Sequence, residues 1–151
     1  MLINGTNKFR VVDQCLECKP GDIDLSPMAF DLMAEHALGR VKINWHYISC
    51  QSMGPVIYHF KDGSNAFWTA VQMRNHRYAV KSFAYKAKDG SFKDVPRLDY
   101  NYFVDAGGMG PGPYTFRVTD VYNHVIEDTG IPLKDNADAP GANQFPECTG
   151  Q

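Results

Sequence analysis

No stretch of this chain approaches the ~20 consecutive apolar residues that a helix needs to cross a bilayer, so no membrane partner is expected. Charge of one sign is also missing. A formal net charge of −2 leaves no electrostatic footprint for nucleic acid or an anionic lipid surface. The opening "MLINGTNKFR" lacks the basic-then-apolar order of a secretory leader. A secreted protein would have had that segment removed or left out. Cysteine is scarce: Cys15, Cys18, Cys50 and Cys148 are all there are. "CLEC" supplies one metal-like pair, but the second pair of a zinc site is missing. A thioredoxin-like redox motif would run straight into a helix, and here "KPGD" follows. Structural disulfides remain. Connectivity is not readable from four cysteines, which allow about 3 pairings; Cys18 with Cys50 is the bridge we expect. The histidines show no ligand spacing, so neither a metal nor a cofactor is assigned. No internal repeat is visible.

Aromatic residues, by contrast, are plentiful at 13% of the chain. "KFRVVDQC" reads as a strand ending near Val11 and Val12. "DIDLSPMAFDLMAEHALGR" predicts a helix, with Ser26 as N-cap, Pro27 at the first helical position and Gly39 at the stop. Phe30, Met33, Ala34 and Ala37 form its apolar stripe. "RVKINWHYISC" predicts a strand with Trp45 in the core. "QSMGP" then breaks the pattern and places a domain boundary near residues 51 to 54. Beyond it, "PVIYHF", "FWTAVQMRN", "YAVKSFAYKA", "SFKDVPRLDY", "NYFVDA", "PYTFRVTDVYN" and "HVIEDTGIPL" are short strands between Gly-rich turns. That pattern argues a β-sandwich of about a hundred residues. The tail from Lys134 reads as a surface loop as far as Phe145.

"SNAFWTAVQMRNHRY", residues 64 to 78, poses the functional question. Alternation puts Phe67, Thr69, Val71 and Met73 on one face and Trp68, Ala70, Gln72 and Arg74 on the other. Both aromatics can lie on the surface only if the strand starts after them or carries a bulge. "RLDYNYFV" offers Tyr100 and Tyr102 at another strand edge, and Lys61 precedes the Gly63 turn. A row of flat rings suits β-linked glucose, whose ring faces are hydrophobic while hydroxyls line the edges. A protein–protein surface or plain core aromatics would fit nearly as well. Arg74, Asn75 and His76 of "RNHRY" read as scaffold that bonds loop backbone.

Taken together, "VVDQCLECKPGDIDLSPMAF", "GRVKINWHYISC", "FWTAVQMRNHRYAV", "RLDYNYFV", "FRVTDVYN" and "QFPE" resemble the microbial expansin-like proteins, from about residue 8 to residue 147. The resemblance implies a mainly β fold of two domains. A partial double-psi β-barrel with one helix, its C-terminal half, would occupy residues 1–52. An immunoglobulin-like β-sandwich that binds cellulose would occupy residues 53–148. It also implies an extracellular protein that loosens contacts between wall glucans without hydrolysing them. The family's row of surface aromatics falls on Phe67, Trp68 and Tyr100, with Lys61 beside it. Phe67 stands where bacterial relatives more usually have Trp. The two acids of the barrel groove match Asp13 and Asp24, and Cys15 stands where a groove tyrosine is usual.

Asp24 corresponds to the general acid of related endoglucanases. Inverting hydrolysis needs two carboxyls roughly 6.5–9.5 Å apart, and expansin relatives lack the base, so no catalytic residue is assigned. The resemblance further implies that the first half of the barrel is not part of this chain. A segment this short rarely buries enough core to stand alone, and an unclosed barrel has bare strand edges. Three outcomes follow: loose packing on the sandwich, aggregation, or pairing with a second copy as a homodimer. Truncation with a folded sandwich is the default. The alternatives to wall loosening are a cellulose-binding module with a vestigial barrel fragment, and a glycoside hydrolase using Asp24 and Asp13.

Overall fold

The computed structural model describes residues 1–147. Its chain divides into two compact units, Met1–Ser49 and a second beginning at Cys50. Strands dominate, with one short α-helix and three antiparallel sheets among the described residues.

In the first unit, β1 (Leu2–Ile3) pairs with β2 (Asn7–Lys8) on one side and β3 (Trp45–His46) on the other. The long helix and long strands expected here do not form. The helix α1 spans only Pro27–Asp31, followed by a 3-10 turn at His36–Leu38. Ser26 precedes α1 as expected, but its side chain caps nothing. Val11 and Val12 lie outside any strand and are exposed. Trp45 is half-buried, not core; its Nε1 donates to the Gly21 carbonyl at 2.9 Å. The reason is packing. A helix or strand draws most of its stability from the apolar face that it buries, and Ile3 is the sole buried residue of this unit among those described. Cysteine pairing also differs from expectation: Cys15 bonds Cys18, and Cys50 is not bridged to either. Cys148 lies outside the described residues.

The second unit follows the alternation closely. Here β4 (Ile57–Phe60), β5 (Thr69–Arg74), β6 (Val80–Lys86), β7 (Phe92–Asp94), β8 (Phe103–Asp105), β9 (Tyr114–Asp120) and β10 (Val125–Ile131) match the predicted runs. The expected loop after Lys134 contains one further strand, β11 (Ala137–Pro140), which pairs with β4. "ADAP" has none of the branched or aromatic residues that mark strands; only the open edge of β4 selects it. The sheets run β10-β9-β6-β7 and β11-β4-β5-β8. They meet through Tyr58, Phe60, Phe83, Phe103 and Phe116, with ring centroids 4.8 Å apart for Phe83–Phe116 and 4.9 Å for Tyr58–Phe116. Each such buried side chain contributes roughly 1.5–3 kcal/mol, so this unit holds a core of its own.

One buried polar group ties the sheets together. Asp128 of β10 accepts from the Tyr58 hydroxyl at 2.8 Å and from the backbone N–H groups of Ala142 and Asn143. Burial, reinforced by that carboxylate, pushes the Tyr58 phenol far above its ordinary range. It stays a donor at every accessible pH.

Candidate functional site

The strand β5 begins at Thr69, after both aromatics of the opening motif. Thr69 and Val71 are fully buried and Met73 nearly so, while Gln72 and Arg74 face outward as alternation requires. Phe67 escapes the alternation because it sits in the loop before the strand, and its side chain is 83% exposed. Trp68 is half-buried.

That loop is rigidly built. The Asn65 side-chain oxygen accepts from the backbone N–H groups of Phe67 at 2.8 Å and Trp68 at 3.2 Å. The Asn65 N–H donates to the Trp68 carbonyl, and the Thr69 hydroxyl to the Asn65 carbonyl. An asparagine that bonds its own following backbone mimics a turn and stiffens it. The loop 106–110 presses against it from behind. Gly108, at φ +75°, lies so close that a β-carbon there would stand 2.5 Å from the Phe67 Cα. The Gly110 N–H donates to the Ala66 carbonyl.

Asp105 anchors the loop 106–110 in turn. Its carboxylate accepts from the Gly107 N–H, from the Tyr85 hydroxyl at 3.0 Å and from the Lys93 ammonium at 2.8 Å. Burial alone would raise this carboxyl, yet Lys93, Gly107 and Tyr85 together hold it below the ordinary carboxylate range. Burial and the same carboxylate push the Tyr85 phenol up.

Tyr100 sits in the turn that precedes β8, closed by the Asn101 N–H on the Leu98 carbonyl, with Asn101 at φ +63°. Asn101 accepts the Arg97 guanidinium, which lies over the Phe103 ring. Tyr100 is 49% exposed. Its ring meets Tyr102 at 5.7 Å, and Tyr102 in turn receives the Lys61 ammonium at 5.8 Å and the His59 ring at 6.2 Å. The structure thus brings Tyr100 and Lys61 together around Tyr102. Phe67 and Trp68 make no ring contact with that group among the described residues. The register Val71↔Phe103 and Thr69↔Asp105 sets Tyr102 level with Gln72, roughly 13 Å along the strand from Trp68. Exposed rings therefore occur at two separate stations, one beside each end of the β5–β8 pair.

Sequence reasoning quoted Tyr102 but gave it no role, and passed over Gly108 inside "GGMGPG". Nothing in a lone sequence says which glycine meets a loop forty residues away. In "RNHRY", the Asn75 side chain bonds the Met53 and Pro55 carbonyls, and His76 the Tyr78 carbonyl, as scaffold should. Arg74 does not bond loop backbone; it holds Gln72 at 2.8 Å and Asp138 at 3.2 Å.

In the first unit, a cleft of about 1140 Å³ is lined by Asp24 together with Glu17, Asp22, Arg40 and Lys42. Asp13 is not among its lining residues; it is exposed, and its carboxylate accepts the Gln14 N–H at 2.8 Å. No helix among the described residues is long and apolar enough to cross a membrane, and no cluster of His, Cys, Asp or Glu there could hold a metal ion.

No family model matches the chain. Curated relatives do. Expansin-YoaJ of Bacillus subtilis is 34% identical over 148 residues, covering 95% of this chain and 63% of that protein. The chain is similar to the expansins over nearly all of its own length. Expansin-like protein 2 of Dictyostelium discoideum is 28% identical over 152 residues, covering 93% of this chain but 36% of that protein. The chain thus spans less than two thirds of the length of both. Its fold matches the apo expansin of Clavibacter michiganensis with a TM-score of 0.79 at 26% identity, over 89% of this chain and 66% of that one. A mutant of that expansin, solved in complex with cellohexaose, matches with the same TM-score at 25% identity.

Proposed function

We propose that this protein binds cellulose and related wall glucans through Phe67, Trp68 and Tyr100, with Lys61 bonding sugar hydroxyls beside them. It then loosens contacts between wall polysaccharides without hydrolysing them, outside the cell. The observation that carries the reading is Phe67, 83% exposed on a loop braced by Asn65. A flat apolar ring presented to water on a braced backbone suits the hydrophobic face of a glucose ring. The cellohexaose complex of a structural neighbour supports the ligand class.

In this reading the first unit is the second half of a double-psi β-barrel and the second unit an immunoglobulin-like sandwich. Asp24 grips sugar hydroxyls in the groove, whose lining does not include Asp13. A second reading, a cellulose-binding module carrying a vestigial barrel fragment, is favoured by the single buried residue of the first unit. Wall-creep assays separate the two, since binding without extension is what the second requires.

Cellulose pull-down tests the platform. Trp68→Ala and Tyr100→Ala should each weaken retention while leaving thermal unfolding almost unchanged. Unaltered retention, or a large drop in melting temperature, would remove these rings from the binding surface. Release of reducing sugar from amorphous cellulose that vanishes in Asp24→Asn would replace loosening with hydrolysis.

A further inference from the structure

Resting on the glucan-binding reading, we infer that Gln72 is a further glucan-contacting residue, a fixed amide donor between the two ring stations, aimed by Arg74. Trp68 immediately precedes β5, which begins at Thr69. Tyr100 lies before β8, which runs antiparallel to β5 with Val71 opposite Phe103. Tyr102 is therefore level with Gln72, and Tyr100 falls beyond it, toward the far end of β5. A single chain that reaches from Trp68 to Tyr100 passes over the outward positions of β5 between them, which are Ala70 and Gln72. Ala70 is fully buried and has no polar side-chain atom. On this stretch of the strand, Gln72 is thus the side chain able to bond a sugar hydroxyl.

Its amide is set in one orientation. The Arg74 Nε donates to the Gln72 Oε1 at 2.8 Å. A guanidinium has donors only, so the carbonyl oxygen faces it and the NH2 group is turned away. Arg74 is held in turn. Its Nη1 donates to an Asp138 oxygen at 3.2 Å, and the same oxygen lies 2.7 Å from the His59 Nδ1. The register sets Asp138, His59, Gln72 and Tyr102 in one outward row across the four strands. Across β5 the His59 and Tyr102 rings meet at 6.2 Å, and Gln72 is half-buried. Among the described residues the Gln72 Nε2 makes no hydrogen bond, yet no buried side-chain nitrogen or oxygen there lacks a partner. The Nε2 is therefore open to water, with its donors free for a ligand. A donor whose orientation is already fixed costs little to order on binding. The rings then cover sugar faces, and Gln72 bonds a hydroxyl of the sugar that lies between them.

Titration of the whole chain with cellohexaose tests this. The nitrogen–proton signals of the Gln72 side-chain amide should shift as cellohexaose is added. They are read in the wild-type fold, so they decide even where a variant is destabilised. Gln72→Met keeps the length of the side chain but has no donor. It should bind cellohexaose roughly 2- to 10-fold more weakly, with an unchanged melting temperature. Arg74→Ala should also weaken binding, by a factor that vanishes once Gln72 is replaced by Met, because a positioning residue then has nothing to position. Wild-type affinity in Gln72→Met, or amide signals that stay put while the Trp68 indole signal moves, would overturn the role of Gln72. Equal losses from Arg74→Ala with and without Gln72 would overturn the aiming by Arg74. If Trp68→Ala binds cellohexaose as the wild type does, the platform reading itself falls.

Discussion

Gly108 and Phe67 meet backbone to backbone: a β-carbon on Gly108 would stand 2.5 Å from the Phe67 Cα, and Gly108 holds φ +75°. The most exposed ring of the candidate platform is therefore positioned by a residue whose whole contribution is to lack a side chain.

Gly108→Ala should push the Phe67 loop outward. Strain from the positive φ adds to the overlap, so a loss of about 2–4 kcal/mol is expected. Gly110→Ala is the internal comparison: its φ is +87°, but nothing lies within 4 Å of an added β-carbon. It should lose only about 1 kcal/mol and adsorb to cellulose better than Gly108→Ala. Urea unfolding and pull-down of the pair measure both quantities. Equal behaviour would mean that the close approach does not position the ring.

Acid should loosen the same region through Asp105. The carboxyl is depressed in the folded state, so its contribution is complete above the ordinary value of 3.8 and disappears as pH falls through the folded value below it. Asp105→Asn should destabilise the protein by about 1–3 kcal/mol near neutral pH. The gap to wild type should then close below about pH 3.8. Urea midpoints measured from about pH 7 to pH 2 trace this. A gap that stays constant through that range would show that the Lys93–Asp105–Tyr85 network contributes nothing that titrates.

Hydrogen exchange should divide the chain at its two units. Amides of β5, β6 and β9 lie over a continuous aromatic core and should exchange only by global opening. Those between residues 9 and 44, in a unit whose sole buried residue is Ile3, should exchange at least about a hundredfold faster. Uniform protection across both units would show that the first is stabilised by something other than its own core.

The sequence was most legible where one face of a strand is buried. Along β5 and β9, polar and apolar residues alternate because water contacts one side only, and the pattern survives without any knowledge of partners. It was least legible in the first unit. The stripe of Phe30, Met33, Ala34 and Ala37 promised three turns of helix, yet α1 has five residues. An amphipathic stripe stabilises a helix only when a second surface covers it. The expected Cys18–Cys50 bridge failed for a related reason, since bridging depends on spatial separation and the folded chain sets Cys15 beside Cys18.

Composition, alternation and the Gly-rich turns by themselves determined that the second unit is a two-sheet β structure with rings left over for its surface. Alternation by itself assigned Phe67 to the buried face; the resemblance to expansin-like proteins put Phe67, Trp68, Tyr100 and Lys61 forward as a group. Tertiary structure alone decided that β5 starts after Trp68, which frees Phe67 from the core. It alone set Gly108 behind that loop, drew β11 from a segment without strand propensity, and turned Arg74 toward Asp138. The division has one cause. Periodicity records which side of an element meets water, whereas loop register, close backbone approach and cross-strand partners depend on contacts between residues far apart in the chain.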